Sequence, residues 1–139
     1  MGDIEKFNGL VVEAIDELRK LPSPAARLSG PLRTGGDGYE TNLARFQLGE
    51  ELLRSRGFTV FGYHGKYADA IKAAYDLHFE HFHIPILKSG LIVAIYFLPG
   101  WEGSGGASYE RQLCEEIGIS IGDISREELL AFEATHRGS

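Results

Sequence analysis

The residue of this chain whose type and position most clearly suggest chemistry is Glu110. A helix is predicted over residues 107–117, and its apolar residues recur at three- and four-residue steps: Ala107, Leu113, Cys114 and Ile117. Glu110 falls on the same stripe. Since acidic side chains are rarely buried without a partner, this carboxylate either lines a ligand pocket or pairs with an arginine or a backbone amide. The pattern leaves both interpretations open.

A glycine-rich turn, Gly103-Ser104-Gly105-Gly106, directly precedes this helix. Glycine lets a ligand approach the backbone closely, and the first N–H groups of a helix can bind an anion or a ribose hydroxyl. The turn follows residues 91–98, which have the composition of an interior parallel strand. Open α/β sheets bind ligands at the carboxyl ends of their strands. The combination therefore favours a ligand site at Ser104, Gly105 and Gly106, beside Glu110.

The elements that must position this site begin with a separate N-terminal helix. Apolar residues recur at helical spacing over residues 3–20, and prolines at 22 and 24 end that pattern. We therefore divide the chain into an N-terminal helix and linker, residues 1–24, and an α/β domain, residues 25–139. Together they are expected to form one globular unit.

The rest of the chain alternates strands with helices. Strands are predicted over residues 25–29, 58–61, 91–98 and 119–121. Helices are predicted from a cap at Thr41 or Asn42 to Gly57, over 66–80 with Pro85 beyond its end, over 107–117, and from a Ser125–Glu128 capping box to about residue 135. This order predicts the α/β class, with an open parallel sheet of four or five strands and helices on both faces, as in Rossmann-like and flavodoxin-like folds.

Composition narrows the classes of partner. The formal charge of -6, from 14 basic and 20 acidic side chains, argues against a groove that follows a nucleic-acid backbone. A mononucleotide is still compatible, because a helix N-terminus can hold a phosphate. The single cysteine excludes an intrachain disulfide and a four-thiolate metal site. With no secretion signal and no apolar run long enough to cross a bilayer, we expect a cytoplasmic protein without a membrane partner.

Several short segments together resemble the small nucleoside 2-deoxyribosyltransferase-like proteins, and most nearly their DUF4406-type branch. They are Ser29-Gly30-Pro31-Leu32, Asn42, Leu98-Pro99-Gly100-Trp101-Glu102 and Ser104-Gly105-Gly106-Ala107-Ser108-Tyr109-Glu110. The resemblance spans roughly residues 25–121. It implies a substrate site that includes Gly30, Pro31, Leu32, Asn42 and Trp101 together with Ser104, Gly105 and Gly106.

The resemblance also implies a mechanism. In the resembling enzymes a glutamate at the position of Glu110 attacks C1′ of the sugar and forms a covalent glycosyl intermediate. That intermediate then passes to another base or to water. The chemistry is physically reasonable, because C1′ develops oxocarbenium character that a neighbouring carboxylate stabilises. We therefore predict an enzyme that cleaves or exchanges the N-glycosidic bond of a nucleoside or nucleoside monophosphate.

The group that protonates the leaving base is where the sequence departs from this family. Family members usually carry an aspartate in the helix before the central strand and another near that strand's start. The corresponding segments here, residues 81–85 and 91–93, contain no carboxylate. Because imidazole titrates near neutrality, His81 and His83 are the candidate acids, with packed histidines as the alternative. His64 resembles a histidine of nucleotide N-glycosidase relatives and is assigned to substrate binding.

Two other functions fit the same residues. The missing aspartates are compatible with a nucleotide-binding module without turnover. His78, His81 and His83 also suggest a metal-dependent protein, although their spacing is not one of the strong zinc patterns. We predict neither a resident metal nor a cofactor.

Because the resembling enzymes complete their sites with residues of a neighbouring subunit, a homodimer or larger homo-oligomer is expected. The sequence does not distinguish hydrolysis from transfer or ribose from deoxyribose, and it does not identify the base.

Overall fold

The computed structural model describes residues 2–21, 24–31, 37–61 and 79–137. Four strands within them form one sheet: β1 (Ala25–Ser29), β2 (Thr59–Val60), β3 (Ile92–Phe97) and β4 (Ser120–Asp123). The helices of these residues are α1 (Asp3–Arg19), α2 (Tyr39–Ser55), α3 (Ile84–Lys88), α4 (Gly105–Ile117) and α5 (Arg126–Arg137). A π-helical turn, Phe79–His83, leads into α3, and a 3-10 turn, Trp101–Gly103, precedes α4.

The sheet is entirely parallel, with the strand order β2-β1-β3-β4. The chain passes from the inner strand β1 outward to β2, and then crosses to the other side of β1 to form β3. The winding therefore reverses between β1 and β3, and in open α/β sheets such a reversal leaves a crevice at the carboxyl ends of the two strands. The predicted α/β fold with an open parallel sheet is confirmed.

Alternating residues of β1 face the two layers of helices. Ala26 and Leu28 pack with apolar residues of α2 and α5. On the opposite face Ala25 packs with residues of α1 and α4, and by the alternation Arg27 and Ser29 share that face. All five residues of β1 are buried, so any charge on this strand must find its partner inside the protein.

The N-terminal helix shares the core of the sheet. Phe7, Ala14 and Leu18 of α1 are buried in the same apolar cluster as Ile95 and Phe97 of β3. The predicted amphipathic stripe is therefore covered by this chain's own core.

The start of α2 differs from the prediction. The helix begins at Tyr39 after Gly38, which adopts the left-handed backbone region at φ 97°, so neither Thr41 nor Asn42 is the cap. Instead, the Asn42 side-chain oxygen accepts a hydrogen bond from the backbone N–H of Asp37 at 3.2 Å. This contact joins Asp37 to the first turn of the helix. Strand β2 is also shorter than the predicted 58–61.

The helix before β3 was expected to end near residue 80, ahead of Pro85. Residues 66–78 of that prediction lie outside the described part of the chain. Where the description resumes, the π-helical turn 79–83 continues directly into α3, and Pro85 occupies the first turn of α3. Proline fits there because the first N–H groups of a helix have no intrahelical partner.

The boundaries set by local capping agree well with the prediction. Gly118 ends α4 in the left-handed conformation, at φ 81°. The capping box at α5 is confirmed, because the Glu128 N–H donates to Ser125 Oγ at 3.1 Å and the Ser125 N–H donates to Glu128 Oε1 at 3.2 Å. No helix of the described residues has the length and apolar character needed to cross a membrane.

Replacing Gly30 by alanine should destabilise the fold, because an added Cβ would lie 2.8 Å from Leu98 Cβ, an atom fixed to the backbone. We expect Gly30→Ala to lower the free energy of unfolding by about 1–3 kcal/mol in urea denaturation. Gly9→Ala is the matched control, since an added Cβ there would meet nothing within 4 Å. Equal unfolding midpoints for the two variants would contradict the close packing at Gly30.

Candidate functional site

Two turns of the predicted motif pack against each other at the carboxyl edge of the sheet. Gly30 and Pro31 follow β1, while Leu98 and Gly100 follow β3. A Cβ on Gly30 would collide with Leu98, and a Cβ on Gly100 would lie 3.5 Å from Pro31 Cγ. Gly100 also adopts the left-handed region at φ 85°, where glycine is favoured. The two segments therefore meet at the reversal between β1 and β3.

The start of α4 lies next along the chain from the β3 turn. Buried Ser104 caps the helix, and its Oγ accepts a hydrogen bond from the Ala107 N–H at 3.3 Å. A Cβ on Gly105 would meet no atom within 4 Å, so the first residue of the helix borders open space. Gly106 is half-buried. The helix start thus leaves room for a ligand, as a predicted binding role requires.

Glu110 is almost completely buried, with 3% of its surface exposed. Arg27 Nε donates to Oε2 at 2.7 Å, and Arg27 Nη2 lies 3.4 Å from Oε1. Ser29 Oγ donates to Oε1 at 3.0 Å. Because Ser29 is the last residue of β1, the carboxylate lies at the carboxyl end of that strand. Of the two interpretations that the sequence left open, the structure shows the pairing with an arginine, and the role of Glu110 in a ligand pocket stays a prediction.

The alternation of β1 explains why Arg27 and Ser29 reach the same carboxylate. They stand two residues apart on the face that α4 covers, and Arg27 is itself 7% exposed. A buried guanidinium requires a partner of opposite charge. Sequence reasoning did not identify Arg27, although one signal was available. It is the only charged residue in a strand of otherwise small or apolar composition, Ala-Ala-Arg-Leu-Ser.

Cys114 lies one helical turn beyond Glu110 and is fully buried. Its burial, and secondly the negative charge of Glu110, raise the pKa of the thiol to about 12, while Arg27 opposes the shift. The thiol is therefore neutral at physiological pH and cannot act as the nucleophile of this site.

Trp101 belongs to a second cluster, on the β3 and β4 side of the same edge. The Arg111 guanidinium lies 4.5 Å from the centre of the Trp101 ring and 5.0 Å from that of Phe97. Two Arg111 nitrogens donate to the Asp123 carboxylate, at 2.7 and 3.2 Å, and this pairing raises the pKa of Arg111. Sequence reasoning missed Arg111 and Asp123. Stacking of Trp101 on a base stays a prediction. The base would have to share the indole ring with Arg111.

Three further predicted residues, Asn42, His81 and His83, lie on other elements than Glu110. Asn42 is buried at the start of α2, where its side-chain oxygen accepts a hydrogen bond from the Asp37 N–H. His83 is buried in the π-helical turn, with its ring 6.1 Å from that of Phe82, and His81 is half-buried there. The hydrogen bonds to the Glu110 carboxylate within the described residues come from Arg27 and Ser29, so neither histidine is such a partner.

Three of the predicted residues cannot be placed. Leu32, His64 and His78 lie outside the described residues. In the described part of the chain, no group of three histidine, cysteine, aspartate or glutamate side chains is arranged to hold a metal ion.

A family model described as a domain of unknown function, DUF4406, matches residues 25–123. The chain belongs to the DUF4406 family. The DUF4406 match begins with β1 and ends at the last residue of β4, so it contains the whole sheet together with Arg27, Ser29 and Glu110. Helices α1 and α5 lie outside it. Comparisons with curated proteins and with solved structures find no match.

Removing one member of the buried pair should destabilise this DUF4406 domain strongly, because the other charge stays buried without its ion-pair partner at 2.7 Å. We expect Glu110→Ala to lower the free energy of unfolding by about 3–5 kcal/mol, measured by urea denaturation. The double variant Arg27→Met with Glu110→Leu should lose far less free energy of unfolding than the two single variants lose in sum. The exposed pair of Asp16 and Lys20 is the control, where Asp16→Asn should have little effect. Additive losses at positions 27 and 110 would contradict direct coupling.

The Cys114 thiol should resist alkylation in the native protein. Its raised pKa keeps it protonated until the pH approaches about 12, and burial excludes the reagent. At about pH 8, iodoacetamide should label the urea-unfolded chain, whose thiol has an ordinary pKa of about 8.5, but not the folded one. Intact-protein mass spectrometry measures the difference. Rapid labelling of the folded protein would show that the thiol is accessible.

Proposed function

We propose that this domain binds a nucleoside or nucleoside monophosphate at the carboxyl ends of β1 and β3 and cleaves or exchanges its N-glycosidic bond. The observation that carries the proposal is the Glu110 carboxylate, held by Arg27 and Ser29 at the end of the inner strand β1. Support also comes from the resemblance of residues 29–32 and 98–110 to nucleoside 2-deoxyribosyltransferase-like proteins.

The geometry at Glu110 suits this chemistry. When the bond between C1′ and the base breaks, positive charge develops on C1′ and the ring oxygen of the sugar. A carboxylate fixed beside C1′ stabilises that charge without having to reorganise during the reaction. Arg27 and Ser29 supply the fixation, since together they hold both carboxylate oxygens. In the proposal Glu110 faces the sugar as nucleophile or as electrostatic stabiliser.

The leaving base needs a proton donor, and His81 and His83 are the proposed donors. They need not touch Glu110, because the base departs from the face of C1′ opposite the carboxylate. A histidine there would donate its proton to the leaving nitrogen of the base. His81 and His83 both lie in the π-helical turn, whereas Glu110 lies in α4, so the proposed acid and the carboxylate come from different elements.

Substrate binding is assigned to the turns at the same edge. Gly30 and Pro31 after β1, and Ser104 with Gly105 and Gly106 at the start of α4, provide backbone close to the sugar or a phosphate. Leu32, Asn42, His64 and Trp101 complete the proposed set.

We further propose a cytoplasmic homodimer or larger homo-oligomer. Light scattering would measure the mass of this assembly.

A nucleotide-binding module without turnover is the second candidate. The observation that favours it is that both oxygens of Glu110 already accept hydrogen bonds from Arg27 and Ser29. Such an arrangement also suits a purely structural ion pair. In that case the glycine-rich turns would bind the nucleotide, and no bond would break.

The deciding experiment incubates the protein with a panel of nucleosides and nucleoside monophosphates and detects free base by chromatography. We expect base release by the unmodified protein and a loss of about 10²–10³-fold in rate for Glu110→Gln, because removal of one preorganised electrostatic group has effects of that size. Glutamine keeps the size of the side chain and can still hydrogen-bond to Arg27. Glu116→Gln, on the exposed side of the same helix, is the matched control and should retain full activity.

The outcomes separate the two candidates. Binding in calorimetry without base release from any member of the panel would favour the module. Full activity in a folded Glu110→Gln variant would remove Glu110 from the mechanism.

A further inference from the structure

We infer that Arg111 is a positioning residue, which holds the indole ring of Trp101 in place for stacking on the base of the ligand. The inference rests on the proposed function, because it takes a nucleoside or nucleoside monophosphate as the ligand of this site. It goes further in assigning the base to one ring, and in naming the charged pair of Arg111 and Asp123 that holds this ring before the ligand arrives.

Trp101 connects the two turns that are proposed to bind the substrate. It directly follows Gly100, where an added Cβ would lie 3.5 Å from Pro31 Cγ. The Trp101 carbonyl oxygen accepts a hydrogen bond from the Ser104 N–H at 3.0 Å, which ties this residue to the start of α4. Its ring is half-buried and packs against fully buried Phe97, with ring centres 5.5 Å apart. Part of the indole is therefore still accessible at the carboxyl edge.

Arg111 reaches this ring from α4. Its guanidinium carbon lies 4.5 Å from the centre of the indole, within the range of a cation–π interaction. At the same time Nη1 and Nη2 donate to the two carboxylate oxygens of Asp123, the last residue of β4, at 2.7 and 3.2 Å. A planar guanidinium can pair at two points and lie over a ring, whereas an ammonium group cannot. Arg111 therefore joins the end of β4 to the turn after β3.

Folding stability alone is a weak reason for this arrangement. The side chain of Asp123 is 58% exposed and that of Arg111 is 21% exposed, and ion pairs open to solvent contribute little to the free energy of unfolding. A ring that is ordered before binding does contribute to affinity, because its conformational freedom is not lost when the ligand arrives. Bases of every kind stack on aromatic side chains. The affinity for any base should therefore depend on Arg111 and Asp123.

The test uses the fluorescence of Trp101, which is the only tryptophan in the chain. The full chain is titrated with the same panel of nucleosides and nucleoside monophosphates, and calorimetry gives the dissociation constants. We expect every compound that binds to change the emission of Trp101, because its base stacks on the indole. Ribose 5-phosphate, which carries no base, should leave the emission unchanged.

Variants of the charged pair separate positioning from folding. Asp123→Asn and Arg111→Gln should each raise the dissociation constant about tenfold, since one stacked base contributes affinity of that order. KM should rise in parallel while kcat stays the same, as for a loss of uniform binding. Arg111→Lys keeps the charge without the planar fork and should resemble Arg111→Gln. Arg56→Gln is the matched control, because Arg56 pairs with Glu128 at 2.6 Å and lies 5.8 Å from the centre of the Tyr96 ring. It should bind the ligand as the unmodified protein does.

The outcomes distinguish this inference from the proposed function. Binding that leaves the emission of Trp101 unchanged, or an equal change with ribose 5-phosphate, would overturn the inference alone. Unweakened binding by folded Asp123→Asn and Arg111→Gln would do the same. Absence of base release, with binding that still depends on Arg111, would refute turnover alone, and absence of any binding would refute both. If Arg111→Gln does not fold, as circular dichroism would show, Asp123→Asn decides the question, because it changes an exposed side chain.

Discussion

The rest of the structure depends on the buried ion pair between Arg27 of β1 and Glu110 of α4. Each charge is excluded from water, so neither can be left without the other except at a large cost in free energy. Helix α4 follows β3 and leads into β4, yet this pair ties its second turn to β1. The rotation of α4 about its own axis is thereby fixed. The same constraint holds the Ser104 cap and Gly105 at the carboxyl edge, next to the turns that follow β1 and β3.

The fold was predictable where local patterns determine it. The bounds of β1, the glycine that ends α4 and the Ser125–Glu128 capping box all follow from residues within a few positions of one another. The start of α2 was not predictable in this way, because it involves a hydrogen bond between the Asn42 side chain and the backbone of Asp37. The π-helical turn before α3 was also missed. Its residues pack against α1, including Phe82 with Phe7 at a ring separation of 6.1 Å, and sequence periodicity carries no information about that contact.

The candidate site was also predictable only where local patterns determine it. The position of Glu110 on an apolar helix face left two interpretations open, a ligand pocket or a partner that is an arginine or a backbone amide. Which arginine it is depends on the sheet, because Arg27 lies 83 residues away along the chain. Only the parallel register of β1 and β3 shows that Arg27 shares a face with Ile95, under α4. To predict the contact between Arg111 and Asp123, the position of β4 in the sheet would have been needed in the same way.

Stability alone does not require an ion pair at this position. Well-packed apolar side chains of similar volume often stabilise a protein as well as a buried pair of charges does, or better. What apolar side chains cannot provide is a carboxylate of fixed orientation at the carboxyl end of an inner parallel strand. There, next to the reversal of the winding, an open α/β sheet leaves space for a ligand. In the proposed function, Arg27 and Ser29 orient Glu110 during folding, so that its charge would need no further reorganisation when positive charge develops on the sugar. The contact that fixes α4 on the sheet would then also be the contact that prepares the carboxylate for the proposed chemistry.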